Sequence, residues 1–263
     1  MKNYRRGRLT KKILVIIVIL IGIAYFNRVK IIQKIVSLGT QSPIVNIDKQ
    51  SNQKTENEQL SDLNFSGQSV VPVNDNQPTF TADDLKSSNS GWQKLSNLDW
   101  LGRPQVANAL LNKKLMPPAQ KYKARERLTV KTPGYHAIKT GTNQTDWLYN
   151  RSHLIGYQFT GLNNESKNLI TGTRQLNADS RKDAQSMVTF ETEVADYLKQ
   201  SGNHYVRYQV EPIYRNVELV PRGVHMMGQS IDDDNVKFNV YIFNVQDGWK
   251  INYLNGAATQ LNQ

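Results

Sequence analysis

Two periodicities divide this chain. Met187, Phe190, Val194 and Tyr197 recur at intervals of three, four and three, the spacing of one helix face, and Ser201-Gly202-Asn203 supplies a stop. From Tyr205 onward, short runs of β-branched and aromatic residues alternate with polar ones. They predict strands at Tyr205 to Val210, Val217 to Val220, Gly223 to Ser230 and Lys237 to Val245, with Trp249 to Tyr253 closing a hairpin across Gln246-Asp247-Gly248. Earlier in the chain, Trp147-Leu148-Tyr149 reads as the end of a half-buried strand. Tyr135 to Ile138 reads as a short strand after the Pro133-Gly134 turn, and Gln175 to Ala184 has helical composition. Val106, Ala109, Leu110 and Leu115 form a helix-like pattern that stops at Met116-Pro117-Pro118. An antiparallel sheet with helices packed on it follows, an α+β fold.

The first third of the chain follows neither period. Lys2, Arg5, Arg6, Arg8, Lys11 and Lys12 precede the apolar run Ile13 to Phe26 with no acidic residue among them, the pattern of an export leader whose basic end stays in the cytoplasm. Residues 1–12 are read as a basic cytoplasmic terminus and 13–26 as a transmembrane signal anchor, or a signal peptide if Gly22-Ile23-Ala24 is cleaved. From Thr40 to Thr81, Ser, Asn, Gln and Asp dominate, so 27–82 is expected to be a disordered spacer and 83–263 the folded domain.

Composition narrows the partners. The formal charge is +11, and from Gly91 onward 21 Lys and Arg stand against 15 Asp and Glu, so the basic excess survives removal of the leader and suits a polyanion. The absence of cysteine excludes a disulfide scaffold. Asp232-Asp233-Asp234 lacks the spacing of a calcium loop and reads as a solvated turn. Arg207 between Tyr205 and Tyr208 reads as an exposed strand position, and His136, His204 and His225 as structural.

The candidate chemistry lies between Trp147 and Glu191. His153 follows the apolar-aromatic run, where a strand meets a loop, and an imidazole there can act as a base near neutral pH. Asn168 opens the run Leu169-Ile170, Asn177 enters the helical segment, and Glu191 stands beside Phe190 on the amphipathic helix. Taken singly, each has a structural reading: a core histidine, a turn or cap asparagine, a solvated acid. The joint pattern points elsewhere.

Asn150-Arg151-Ser152-His153, Asn168, Asn177 and Glu191 resemble the DNA/RNA non-specific endonucleases of the ββα-metal class, in particular bacterial DNA-entry and secreted streptococcal-type nucleases. The commoner family motif is Asp-Arg-Gly-His; here Asn150 and Ser152 replace its Asp and Gly. The resemblance extends over Leu98 to Asn255, including Leu101-Gly102-Arg103-Pro104. It implies that His153 is the general base, that Asn177 ligates one divalent ion, that Glu191 reaches that ion through water, and that Asn168 steadies the site. Magnesium, or manganese in its place, suits a site of oxygen donors, and Arg151, Arg174 and Arg181 suit flanking phosphates, with Asn150 beside the substrate.

The expected function is therefore metal-dependent hydrolysis of DNA outside the cell, with RNA left open as a second substrate. The membrane is a partner through the leader and DNA-uptake machinery a further one. Two other readings use the basic charge alone: a catalytically silent surface receptor for DNA, and a wall protein that attracts teichoic acids.

Overall fold

The structure is a computed structural model that describes residues 55–86, 90–141, 146–231 and 233–261. The basic leader, the apolar run and the start of the expected spacer lie outside the described residues, as does Asp232 of the acidic turn. Among the described residues no helix is long and apolar enough to cross a membrane.

A six-stranded antiparallel sheet is the scaffold. Its strands are β1 (Val70–Pro72), β2 (Trp92–Leu95), β3 (Ala107–Asn112), β6 (Tyr205–Ile213), β7 (Gly223–Ser230) and β8 (Lys237–Phe243). They lie in the order β1-β8-β7-β6-β3-β2. Side chains alternate across the sheet, as the two-residue repeat of a strand requires. Ala107, Ala109, Leu111, Val206, Tyr208, Val210, Val224, Met226, Phe238, Val240 and Ile242 enter the main core. Onto this face pack Ile170 of β5 (Leu169–Thr173) and the helix α5 (Met187–Lys199), and β4 (Tyr149–His153) pairs with β5. The short helices α1 (Glu56–Asp62), α2 (Ala119–Lys123), α3 (Tyr157–Thr160) and α4 (Arg174–Ala178) complete the helical complement, and β9 (Trp249–Ile251) pairs with β10 (Ala258–Gln260). The α+β architecture with an antiparallel sheet is thus the one the periodicities predict.

The amphipathic helix forms as its spacing dictates, with Met187, Phe190, Val194 and Tyr197 all buried. At its start the Ser186 amide donates to Thr189 Oγ1 at 3.0 Å, satisfying a donor left open at a helix end.

Several local expectations fail where distant pairing decides the conformation. Val106 to Leu115 is a strand, β3, followed by a single 3₁₀ turn, because β2 and β6 bracket it and its apolar residues face both layers. Tyr135 to Ile138 forms no strand; only Lys139 and Trp147 make an isolated bridge. Val217 to Val220 is a loop held by the Val220 amide on the Tyr253 carbonyl. Trp249 to Ile251 turns away from β8 to pair with β10. Helix α4 stops at Ala178, well short of Ala184. Arg207 is buried, its guanidinium lying 4.8 Å from the Phe80 ring and 5.1 Å from Trp92. Tyr208 is fully buried too.

The largest correction concerns the expected spacer. Residues 55–82 belong to the folded domain: β1 pairs with β8 in the register Val70↔Ile242, Val71↔Tyr241 and Pro72↔Val240. Leu60, Val71 and Val73 cover Ile213, Tyr241 and Phe243 on the second face of the sheet. Asn57 Nδ2 also donates to Glu211 Oε1 at 2.7 Å. Sparse apolar residues in a polar stretch are enough because their partners are already a sheet.

Burying Leu60, Val70, Val71 and Val73 at about 1.5–3 kcal/mol each is comparable with the whole stability of a typical domain, about 5–15 kcal/mol. A chain starting at residue 83 is therefore expected to melt at least about 10 °C below one starting at residue 55, or to aggregate. Equal midpoints by circular dichroism would remove the strap from the fold.

Candidate active site

Strands β4 and β5 form an antiparallel hairpin in which His153 stands opposite Leu169. The loop between them is held from within. Asn168, fully buried, accepts the Ile155 amide on Oδ1 and donates Nδ2 to the Ile155 carbonyl, both at 2.9 Å. One side chain thus closes both main-chain polar groups of the residue two places after His153, and it does so without lining the pocket. Asn168 thus shapes the main chain after His153 from behind the pocket wall.

His153 is itself nearly buried. Its Nε2 lies 2.7 Å from the main-chain carbonyl of Asn163. A carbonyl only accepts, so Nε2 carries the proton and Nδ1 is left as the acceptor of the neutral ring. Burial pushes the imidazole down to about 4, and the Arg125 charge works in the same direction against the upward effect of the Asn163 bond.

Five of the eight residues that the sequence singles out converge on one open pocket of about 460 Å³. Asn150, Arg151, His153, Asn177 and Glu191 all line it. Glu191 belongs to the buried face of α5; desolvation pushes its carboxyl up to about 7, opposed by a hydrogen bond from Gln158 Nε2 at 3.2 Å. Gly156 lets the main chain press against that carboxylate, since a Cβ at this position would lie 2.8 Å from Oε2. The Tyr208 hydroxyl is buried beneath the helix without a hydrogen-bond partner among the described residues, and its charge interaction with Glu191 adds to the burial that holds it protonated.

The donor set suits a hard cation. The Glu191 carboxylate and the amides of Asn150, Gln158 and Asn177 line the pocket with no thiol, and among the described residues no three His, Cys, Asp or Glu side chains gather into a cage. A few oxygen ligands with several retained waters are the habit of magnesium.

Arg151 donates Nε to the Val130 carbonyl, with its guanidinium 4.3 Å from the Tyr135 ring. Asn150 Nδ2 is buried and has no hydrogen-bond partner among the described residues. Ser152, where the commoner motif has glycine, fits because Gly172 stands across the hairpin: a Cβ there would come within 2.3 Å of Ser152 Oγ. Arg174 is exposed at the start of α4, one turn before Asn177 on the same helix, and does not line the pocket. Arg181 departs from expectation. Its guanidinium is engaged by Asp179 and Asp247, and it borders a different cavity with Gly67 to Val70. Two carboxylates satisfy the charge that a phosphate was expected to meet.

Other residues of the site left no signal in the sequence. Asn163 and Asn164 stand in a polar stretch with no motif of its own. Yet Asn163 binds His153, Arg125 and the Glu126 carbonyl, and Asn164 Oδ1 accepts the amides of Thr129 and Val130. Tyr122, Arg125 and Gln158 line the pocket as well. Only the interleaving of cations with an aromatic in Lys121-Tyr122-Lys123-Ala124-Arg125 hints at this. His136, His204 and His225 bind Asn255 O, Ser201 O and Asn239 Oδ1, away from the pocket lining.

The chain is similar to known nucleases in sequence and in fold. A deoxyribonuclease of Streptococcus dysgalactiae subsp. equisimilis is 30% identical over 131 residues, which are 50% of this chain and 39% of that protein. The chain therefore matches well under half of that relative's length. The crystal structure of NucA from Streptococcus agalactiae with magnesium ion bound superposes with a TM-score of 0.60 at 27% identity, over 71% of this chain and 84% of that one. The structure of Sda1 nuclease with bound zinc ion does so with a TM-score of 0.54 at 26% identity, over 65% and 81%. The sequence profile of DNA/RNA non-specific endonucleases matches residues 84–232, which contain the hairpin, the pocket and α5, and the chain belongs to that family.

Proposed function

We propose that this protein is a magnesium-dependent endonuclease that hydrolyses the phosphodiester bonds of DNA, and of RNA, outside the cell. The observation that carries the reading is the contact of His153 Nε2 with Asn163 O: a carbonyl there commits Nε2 as donor, and the ring then offers Nδ1 as a base in the pocket that Asn177 and Glu191 share. The deoxyribonuclease relative and the magnesium-bound NucA structure support it.

In this reading His153 takes a proton from the attacking water, while Asn168 and Asn163 keep the ring in place. Arg151 neutralises a phosphate oxygen, and Arg174 and Asn150 contact the flanking strand. Asn177 would hold a divalent ion directly and Glu191 would reach it through water; when bound, that ion supplies charge stabilisation to the phosphate. Manganese serves the same oxygen donors. Contacts to phosphate rather than bases make cleavage indifferent to sequence. Residues 1–12 stay in the cytoplasm, and 13–26 anchor the chain or are cleaved to release it. An anchored form would deliver DNA to uptake machinery.

Purified protein is expected to nick plasmid DNA with magnesium and to stop with chelator. His153→Ala is expected to lose at least about a hundredfold in turnover while still binding DNA. Cutting by the chelated and mutant proteins at the wild-type rate would refute the assignment. Asn177→Ala is expected to raise the magnesium concentration needed for half-maximal rate, and an unchanged titration would take Asn177 away from the ion.

The imidazole supplies a test without turnover. Its folded value of about 4 lies below the ordinary 6.5, so between these pH values the unfolded chain binds more protons and this group lowers stability as the pH falls. NMR titration of the metal-free protein is expected to place the His153 midpoint well below 6.5. A midpoint at or above that value would mean that the ring is solvated.

A further inference from the structure

Asn163 is held on three sides. Its carbonyl accepts from His153 Nε2 at 2.7 Å, its Oδ1 accepts from Arg125 Nε at 2.8 Å, and its Nδ2 donates to the Glu126 carbonyl at 2.8 Å. The acceptor that sets the histidine tautomer is therefore itself oriented by residues 125 and 126. Arg125 lies at the pocket wall, exposed to solvent, with its guanidinium carbon 4.4 Å from the ring of buried Tyr157. Tyr157 in turn donates its hydroxyl to the Lys121 carbonyl at 3.0 Å.

Of the five donors of this guanidinium, the one on Nε is spent. The NH1 and NH2 edge makes no hydrogen bond among the described residues, and such an edge matches the oxygens of a phosphate. Lys121, Lys123, Arg127 and Lys131 surround it in the sequence, with Glu126 the single acid between Lys121 and Lys131.

We infer, taking His153 as the base, that Arg125 is a positioning residue: a phosphate of the bound strand engages its free edge and, through Asn163, holds the imidazole in its working orientation. Substrate binding then completes the site. Geometry accounts for the coupling, because a guanidinium pinned by Tyr157, Asn163 and a phosphate has little freedom left, and a displaced acceptor releases the ring. Loss of such alignment typically costs up to about a hundredfold in rate. A plain phosphate contact would instead weaken binding and leave the chemical step alone.

The test uses the full chain, a fluorescent DNA oligonucleotide and the variants Arg125→Ala, Arg125→Lys, Asn163→Ala and the Arg125→Ala/Asn163→Ala pair. Arg125→Ala is expected to lower kcat about tenfold to a hundredfold and to raise KM several-fold. Asn163→Ala should lower kcat alike with KM near wild type, and the double variant should lose little more in kcat than the worse single one. Arg125→Lys should recover KM without recovering kcat, because an ammonium cannot stack and fork together. Imidazole ¹⁵N resonances should report the Nε2–H tautomer in the wild type and a mixture in Arg125→Ala and Asn163→Ala. A change in KM alone with the tautomer intact, or kcat losses that multiply, would overturn the coupling. If Arg125→Ala does not fold, Arg125→Lys, whose stem still covers Tyr157, decides by the same kcat and tautomer readings. His153→Ala run in parallel separates the two ideas: full turnover there sinks the base, whereas lost turnover there with normal kcat in Arg125→Ala sinks only the coupling.

Discussion

The site depends on the way a buried amide satisfies a bent piece of main chain. The segment leaving β4 must turn sharply after His153, which strips Ile155 of ladder partners on both its amide and its carbonyl. In a dry interior each unpaired group costs about 1–3 kcal/mol. Asn168 answers both with one side chain. An aspartate lacks the donor, and a leucine lacks both. Because the same residue immediately precedes β5, the pairing of the hairpin and the placement of the imidazole are one event.

Burial then tunes the two titrating groups in opposite directions. His153 is pushed down to about 4 and Glu191 up to about 7, each chiefly by desolvation. Burial by the protein alone therefore favours a neutral base beside an acid that readily keeps its proton. For Glu191 the folded value exceeds the ordinary 4.5, so this group lends stability below that pH and withdraws it as the pH rises towards 7. The two contributions oppose one another over the range they share. A cation bound by Asn177 and Glu191 would favour the ionised carboxylate and return some of the lost stability.

What the sequence discloses follows from range. Helix α5 was legible because its period is complete within thirteen residues and Glu191 falls inside it. The limits of β7 were legible for the same reason. The identity of β3 was not: its apolar residues satisfy a helical pattern as well as a strand, and only β2 and β6 on either side decide the matter. β1 was hidden because Val70 to Pro72 takes its meaning from β8, some 170 residues later. At the site, the motif residues were legible as chemistry, whereas Asn163 and Gln158 act through contacts that no spacing announces. Arg181 shows the converse, a cation whose charge suggested a ligand and whose neighbours had already neutralised it.

The outermost strands of the sheet carry a different consequence. β1 is three residues long and ends in Pro72, and β2 is four residues long with Lys94 exposed within it. Each rim offers an incoming strand few main-chain groups to dock on, and proline and lysine are known deterrents to such docking. Crowded at high local density along a polyanion, copies of this domain would have little opportunity to zip together into ribbons.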